Sequence, residues 1–354
     1  MRRLTVLSVA YPLAPVGPDA VGGSEQILTA LDRALVAAGH RSIVLAIEGS
    51  QAAGELVTYK APPPREPITE EIASAQRKRV RREMTRIVRS RPVDMIHMHG
   101  LDFHFYLPPP GLPVLATLHL PPHWYPVHAW ETKRPNTWLN CVSQHQLSNT
   151  WPNPRMLPAI PNGVPVHLLG AVRPRKGNYA LMLSRVCPEK GLHLALKAAH
   201  EADANLLIGG EIFPYPVHQE YFHDEVRPLL DRKRRYVGPL RFIQKRRILA
   251  AARCLLVPSL VQETSSLVAM EAAACGTPVI AFRNGALPEV VEEGRSGFLV
   301  DDEHGMAEAL GRIGAIDPEQ CRAVARERFT LERMSHAYLA RYAELVGEQV
   351  TAAA

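Results

Sequence analysis

The sequence is poor in clustered cysteines and long apolar runs. Its five cysteines are widely spaced and odd in number, and no CxxC pair or Cys/His cluster has zinc spacing, so we expect reduced, buried thiols. No apolar run reaches the roughly 18–20 residues of a membrane-spanning helix, because the best candidate, residues 248–261, is shorter and contains Arg253. The first residues lack the pattern of a signal peptide. These absences predict a cytoplasmic protein.

The composition that remains is typical of two α/β domains. Hydrophobic residues make up 46% of the 354 residues, and a chain of this length holds about two domains. Short apolar strands alternate with amphipathic helices, which predicts two Rossmann-like, doubly wound parallel sheets facing across a cleft. We place the N-terminal domain at 1–165, the C-terminal domain at 166–330, a linker at 165–177, and a final helix, 331–350, back on the first domain. Predicted strands cover 4–9, 42–46, 94–98, 114–119, 139–142, 180–183, 205–208, 236–237, 255–257 and 278–282; predicted helices cover 24–39, 68–91, 192–202, 220–233, 243–252 and 266–274.

Two glycines stand just before the first predicted helix. Gly22 and Gly23 would allow a ligand to approach the backbone closely, and free N–H groups at a helix start attract anions. The alternative is a plain loop-to-helix turn. The pair is not a G-x-G-x-x-G fingerprint, so a nicotinamide enzyme is disfavoured.

A second motif, SRVCPEKG at 184–191, follows a predicted strand and precedes a helix. Arg185 and Lys190 would lie at the carboxyl end of that strand, where two cations can hold a diphosphate. The alternative is a solvated loop with two surface cations.

The third motif contains two glutamates, one before and one inside a predicted helix. Glu263 and Glu271 could accept hydrogen bonds from the hydroxyls of a sugar and a ribose, and helix-start amides beside them suit a phosphate. Those amides belong to Ser265, Ser266 and Leu267. In the alternative, Glu263 caps the helix and Glu271 lies on the surface, but Glu271 stands in an almost wholly apolar stretch, where a buried carboxylate needs partners.

Together these motifs resemble the donor-site signature of the family-4 retaining glycosyltransferases, which have the GT-B fold. The matching segments run in family order from residue 21 to about 300. They are VGGSE at 21–25, DMIHMH at 94–99, TLH at 117–119, PNGV at 161–164, SRVCPEKG at 184–191, GG at 209–210, PSLVQETSSLVAMEAAACGTPVIA at 258–281, GA at 285–286, Glu289, and GRSGFLV at 294–300.

The resemblance implies a role for each matching residue. Glu271 would bind the donor ribose, Glu263 the donor sugar, and His119 would lie beside the sugar and the reactive centre. The remaining donor-binding residues would hold the diphosphate and the nucleobase. The diphosphate set is Arg185, Lys190, Gly22, Gly23, Ser265, Ser266 and Leu267; Gly210 continues the match, and Gly238 marks the nucleobase loop.

The implied reaction moves a sugar from a nucleotide-sugar, with UDP favoured over GDP, to an acceptor hydroxyl with retention. Cations and helix-start amides would stabilise the departing diphosphate, whose β-phosphate oxygen takes the acceptor proton on the same face. His119 and Glu263 are the catalytic candidates. We expect no metal and no cofactor, since the family typically uses no metal and the chain has no DxD sequence. A GT-B epimerase or phosphorylase is the alternative enzyme.

The sequence indicates the donor sugar and the acceptor-binding residues less specifically than it indicates the nucleotide site. The chain has Thr264-Ser265-Ser266 where the family often has glycine or an aromatic residue, which leaves the donor sugar open. The acceptor candidates are His99, His123, Trp124 and Tyr125, for which core packing is the alternative.

The helix at 77–91 carries much of the net charge of +6. Its arginine-rich face suits peripheral contact with anionic lipid at the inner membrane face, or it is simply a solvated face. The alternative that is not an enzyme is a basic module that binds a membrane surface without catalysis. Nucleic-acid binding is disfavoured, because no aromatic residues are interleaved with the charges.

Overall fold

The computed structural model describes residues 2–62 and 68–352 of the chain. The chain divides into two compact units: an N-terminal unit, Met1–Asn162 with Glu332–Ala354, and a C-terminal unit, Gly163–Leu331. Each is an α/β unit built on one parallel sheet, as predicted from the alternation of strands and helices.

The N-terminal unit has, among its described residues, a seven-stranded sheet in the order β3-β2-β1-β4-β5-β6-β7. Every neighbouring pair is parallel. The strands are β1 Thr5–Val9, β2 Arg41–Ile47, β3 Glu55–Tyr59, β4 Met95–Met98, β5 Val114–Thr117, β6 Thr137–Asn140 and β7 Met156–Leu157; the helices are α1 Gly23–Ala37, α2 Glu70–Ser90, α3 Val127–Trp130 and α4 Gln144–Ser148.

The C-terminal unit has a six-stranded parallel sheet in the order β10-β9-β8-β11-β12-β13. Alternate residues of β11 pack on opposite faces, since strand side chains alternate: Leu255 joins one apolar cluster and Leu256 the other. The strands are β8 Ala180–Leu183, β9 Leu206–Gly209, β10 Arg234–Gly238, β11 Cys254–Val257, β12 Val279–Phe282 and β13 Gly297–Val300; the helices are α5 Val166–Gly170, α6 Leu192–Glu201, α7 Pro216–Tyr221, α8 Phe242–Ala251, α9 Leu267–Cys275, α10 Leu287–Val290, α11 Glu303–Arg312 and α12 Pro318–Arg328.

The final helix, α13 Leu331–Ala352, returns to the N-terminal unit. Its Tyr338 and Tyr342 are fully buried and reach polar side chains of the N-terminal sheet. Within the described ranges, no helix combines the length and apolar character needed to cross a bilayer.

Several elements, among them β13, α11 and α12, were not predicted, and other predictions of local structure were wrong. The helix predicted at 220–233 ends early: α7 stops at Tyr221, a π-turn and a 3-10 turn follow, and Pro228, which cannot donate a backbone hydrogen bond, lies in the 3-10 turn. Strand β3 was missed, because this edge strand is partly exposed and polar. The predicted linker contains α5, whose Val166 and Leu169 are buried.

Candidate functional site

The strand order of the C-terminal sheet reverses at β8, which lies between β9 and β11. At such a point the two neighbouring strands lead to helices on opposite faces of the sheet. The crevice at the carboxyl ends of these strands is where open α/β sheets bind ligands. Here the loops after β8 and β11 touch: Gly191 has a positive φ of 67°, and a Cβ on it would lie 2.2 Å from the carbonyl oxygen of Pro258. Glycine is therefore required where the two donor motifs meet.

Glu263 and Lys190, which belong to separate sequence motifs, form an ion pair. Lys190 Nζ lies 2.5 Å from Glu263 Oε1, and the Ser259 hydroxyl donates to the same oxygen at 2.7 Å. The backbone of Glu263 is also held, because Ala286 donates to its carbonyl and a Cβ on Gly285 would lie 2.3 Å from its nitrogen. A carboxylate and an ammonium are thus fixed side by side where β8 and β11 end.

Glu271 is buried, so the alternative that placed it on the surface was wrong. It is 3% exposed on α9, and its Oε1 lies 2.6 Å from Lys245 Nζ on α8. The sequence motifs did not include Lys245, which stands in the short basic run of residues 245–247. A signal was present: Phe242, Lys245 and Leu249 follow helical spacing, which puts the lysine on the apolar face of its helix.

The N-terminus of α9 lies between the two glutamates. Ser266 is the N-cap residue, its side chain makes no capping bond, and Leu267 is the first helical residue. The Ser265 hydroxyl is buried and has no hydrogen-bond partner among the described residues. Free helix-start amides and a buried, unpartnered hydroxyl together suit an anion such as phosphate.

Gly210 and Gly238 hold the ends of β9 and β10 together. The amide of Gly210 donates to the carbonyl of Gly238 at 3.0 Å, and Tyr236 Oη donates to the carbonyl of Gly210 at 2.7 Å. A Cβ on Gly210 would lie 1.7 Å from the Ser184 carbonyl oxygen, and Gly238 has a positive φ of 75°. The backbone therefore requires glycine at both positions. Ligand binding is not needed to explain why glycine occurs there.

Arg185 extends toward solvent, with 42% of its side chain exposed and 3.9 Å between its guanidinium and Glu189. Beside it, within the part of the chain that the structure describes, Cys187, Glu189 and His218 form a group that could hold a metal ion, with ligand atoms within 4.8 Å of one another. Burial raises the pKa of the Cys187 thiol to about 12. The thiol is therefore protonated at neutral pH and would ligate only after losing that proton.

In the N-terminal unit, Gly22 is the N-cap residue of α1 and Gly23 its first residue. A Cβ on Gly22 would lie 1.9 Å from Oε2 of Glu25, which is buried in the first turn. Glycine at this position therefore makes room for an acidic side chain of the protein itself.

His119 and His99 contact each other, with Nε2 and Nδ1 3.3 Å apart. The ring of His97 lies 3.9 Å from that of His99, so the two side chains do point to one side, as predicted. His97 lies 2.6 Å from the hydroxyl of Tyr342 and 2.7 Å from that of Thr117. The buried His97 and His99 and the half-buried His119 form one network tied to α13.

Burial keeps these histidines neutral. It lowers the pKa of His97 to about 3 and that of His119 to about 4, and the pKa of His99 falls well below its usual value. His119 therefore acts at neutral pH as a hydrogen-bonding group and not as a cation. Nε2 of His99 is buried with no hydrogen-bond partner in the described ranges.

The acceptor-side candidates separate into buried and exposed residues. Tyr125 is buried, and its hydroxyl accepts from the amides of His119 at 3.0 Å and Leu120 at 3.3 Å, so it holds the backbone of His119 in place. His123 and Trp124 lie on a 3-10 turn at the surface, and Trp124 is 45% exposed.

Comparison with protein families gives a match in each half of the chain. Residues 21–150 match the model described as Glycosyltransferase Family 4, and residues 177–315 match the one described as Glycosyl transferases group 1. The two matches follow one another along the chain and include the SRVCPEKG motif and both glutamates.

Curated relatives share parts of this sequence. The D-inositol 3-phosphate glycosyltransferase of Corynebacterium glutamicum is 32% identical over 170 residues, which is 45% of this chain and 38% of that protein. The protein of the same name from Acidothermus cellulolyticus is 43% identical over 110 residues, 29% of this chain and 24% of that one. The chain thus aligns with less than two-fifths of the length of these relatives.

Solved structures match nearly the whole fold. AviGT4, a glycosyltransferase involved in avilamycin A biosynthesis, has a TM-score of 0.76 at 24% identity and covers 97% of this chain and 98% of its own. Anabaena HepE in complex with UDP-glucose has a TM-score of 0.72 at 16% identity over 99% of this chain and 100% of its own. At these identities the likeness establishes the two-domain GT-B fold.

Proposed function

The chain belongs to the family-4 glycosyltransferases, and we propose that it moves a sugar from a nucleotide-sugar to an acceptor hydroxyl with retention at the anomeric carbon. The observation that carries the proposal is the C-terminal cluster of Lys190, Glu263 and the free N-terminus of α9. It combines a cation, a carboxylate and oriented amides where β8 and β11 end, which matches the parts of a sugar diphosphate.

In the proposed complex, Lys190, Arg185 and the α9 amides neutralise the diphosphate. Glu263 accepts hydroxyl hydrogen bonds from the donor sugar, and Glu271 from the ribose. As the bond from the anomeric carbon to the β-phosphate oxygen breaks, negative charge grows on the diphosphate, and fixed positive groups stabilise it. That oxygen takes the acceptor proton while the acceptor oxygen bonds to the anomeric carbon on the same face.

We propose His119 as a neutral hydrogen-bonding group beside the donor sugar. The low pKa of its imidazole supports this role, because a neutral ring both donates and accepts one hydrogen bond. Its fixed backbone, held by Tyr125, supports a constant position.

We propose a UDP-sugar as donor, with a GDP-sugar as the alternative. The support is the fold shared with HepE, whose structure holds UDP-glucose. For the acceptor, the curated relatives are named for D-inositol 3-phosphate, which makes this phosphorylated polyol the first compound to test.

The test is a thermal-shift screen of the full chain against UDP-, GDP-, ADP- and dTDP-sugars, since a ligand of the folded state raises the melting midpoint. The stabilising donor is then incubated with acceptor, and proton NMR compares the anomeric configuration of product and donor. We expect retention. Inversion would refute the mechanism, whereas conversion of donor without acceptor, or a requirement for inorganic phosphate, would indicate the epimerase or phosphorylase.

We further propose that α2 contacts an anionic membrane surface. Lys78, Arg81 and Arg89 are exposed on one face of α2 and form no ion pair among the described residues. Arg77 does not belong to this face, because its guanidinium is 2.7 Å from both Asp102 and Glu70. Arg77 therefore holds α2 in place.

Co-sedimentation with vesicles containing phosphatidylserine tests the contact. Changing Lys78, Arg81 and Arg89 together to glutamine should abolish salt-sensitive binding, while the matched triple change of Arg232, Lys233 and Arg235 should not. Equal binding by both variants would remove the lipid role of α2.

A further inference from the structure

Lys245, the partner of Glu271, lies outside every donor motif of the sequence. Its Nζ is 2.6 Å from Glu271 Oε1, with 18% of the lysine side chain and 4% of the glutamate side chain exposed. A carboxylate this deeply buried requires a charged or hydrogen-bonding partner. The ammonium supplies one and fixes one oxygen of the carboxylate.

The contact also determines what the other oxygen can do. A carboxylate offers two acceptor oxygens, and with Oε1 held by Lys245, Oε2 has a defined direction. A ribose offers two neighbouring hydroxyls, so its recognition depends on the angle at which this carboxylate meets them. A glutamate without its lysine would be free to rotate about its side-chain bonds.

Lys245 also contacts an aromatic residue of its own helix. Helix α8 starts at Phe242, shortly after Gly238, and Lys245 Nζ lies 5.9 Å from the centre of the Phe242 ring. The ammonium is therefore held between an aromatic face and a carboxylate, which limits its own movement. It joins α9 to the helix that follows the proposed nucleobase loop.

We propose that Lys245 is a positioning residue that orients Glu271 toward the ribose hydroxyls and thereby sets a preference for ribonucleotide over 2′-deoxyribonucleotide donors. This inference rests on the proposed function, in which Glu271 binds ribose. It assigns to Lys245 a role in specificity and not in the chemical step.

The experiment is calorimetric titration of the full chain with the ribo and 2′-deoxy forms of UDP, GDP and ADP. The wild type should bind the preferred ribonucleotide about 10- to 100-fold more tightly than its deoxy form, the range expected for a hydrogen bond to a charged group. Lys245→Met should bring this ratio close to one, although Glu271 is still present. Lys245→Arg, which restores a cation, should recover part of it.

The matched control is Arg247→Met, which removes an exposed charge from the same helix and should keep the wild-type ratio. If Lys245→Met does not fold, Lys245→Gln replaces it, because glutamine is one atom too short for the contact. A purely structural role would weaken both nucleotides equally.

Three results would overturn the inference. If the Met or Gln variant keeps the wild-type ratio of ribonucleotide to deoxyribonucleotide affinity, the positioning role of Lys245 is refuted and the proposed function is not affected. If the wild type binds ribonucleotides and deoxyribonucleotides equally well, the inference about ribose preference is refuted, but the proposed binding of a nucleotide donor is not. A wild type that binds none of the nucleotides would refute the proposed function together with it.

Discussion

Paired polar groups are used differently in the two units. In the N-terminal unit, His97 contacts Thr117 and Tyr342, so these polar atoms satisfy one another. In the C-terminal unit, Lys190 meets Glu263 as opposite charges beside the free amides of α9. Neutral networks specify and stabilise a fold, whereas fixed charges at strand ends can exchange their partners for a ligand. We therefore expect substitutions of the charged C-terminal cluster to alter donor chemistry, and substitutions of His97, Thr117 or Tyr342 to alter stability.

The largest effect should come from the cation beside Glu263. Lys190→Ala should lower kcat/KM about 10²- to 10³-fold, because it removes a group that stabilises the leaving diphosphate in the transition state. Steady-state kinetics with the donor found by the screen measures this, and a melting curve verifies folding. Activity within a factor of two of the wild type would exclude Lys190 from the site.

Glu263→Ala should mainly lower kcat, about 10- to 100-fold, with a small change in KM. The carboxylate contacts the sugar near the reacting bond, and a charged hydrogen bond of this kind contributes about 1.5–3 kcal/mol. The same kinetic assay separates the two parameters. A change confined to KM would instead make Glu263 a ground-state binding group.

The N-terminal network should make stability depend on pH. The pKa of His97 is about 3 in the folded state against 6.5 ordinarily, so the unfolded state binds the proton first as pH falls. Stability is then fully present above pH 6.5 and is lost progressively toward pH 3, by about 2 kcal/mol for this group at pH 5. Urea unfolding at pH 7 and pH 5 measures it. His97→Asn, which does not titrate, should show a smaller loss; an equal loss would place the dependence elsewhere.

The sequence predicted the two sheets because short continuous apolar runs such as residues 255–257, which are typical of strands buried on both faces, alternate with amphipathic helices. It also singled out Lys190 and Glu263 in loops after strands and Glu271 within an apolar helix, as parts of motifs. It could not show that Lys190 meets Glu263, because contacts between residues far apart in sequence depend on strand order. Lys245 was missed because it lies outside the donor motifs and its contact with Glu271 joins two different helices.

Calorimetric titration of the donor's nucleoside diphosphate into wild type, Glu271→Ala and Tyr342→Phe tests the comparison most directly. We expect Glu271→Ala to weaken binding about 10- to 100-fold, because a charged acceptor of ribose hydroxyls is lost. We expect Tyr342→Phe to bind as the wild type does, although it is less stable. Wild-type affinity in Glu271→Ala would contradict the claim that the charged cluster of the C-terminal unit holds the donor.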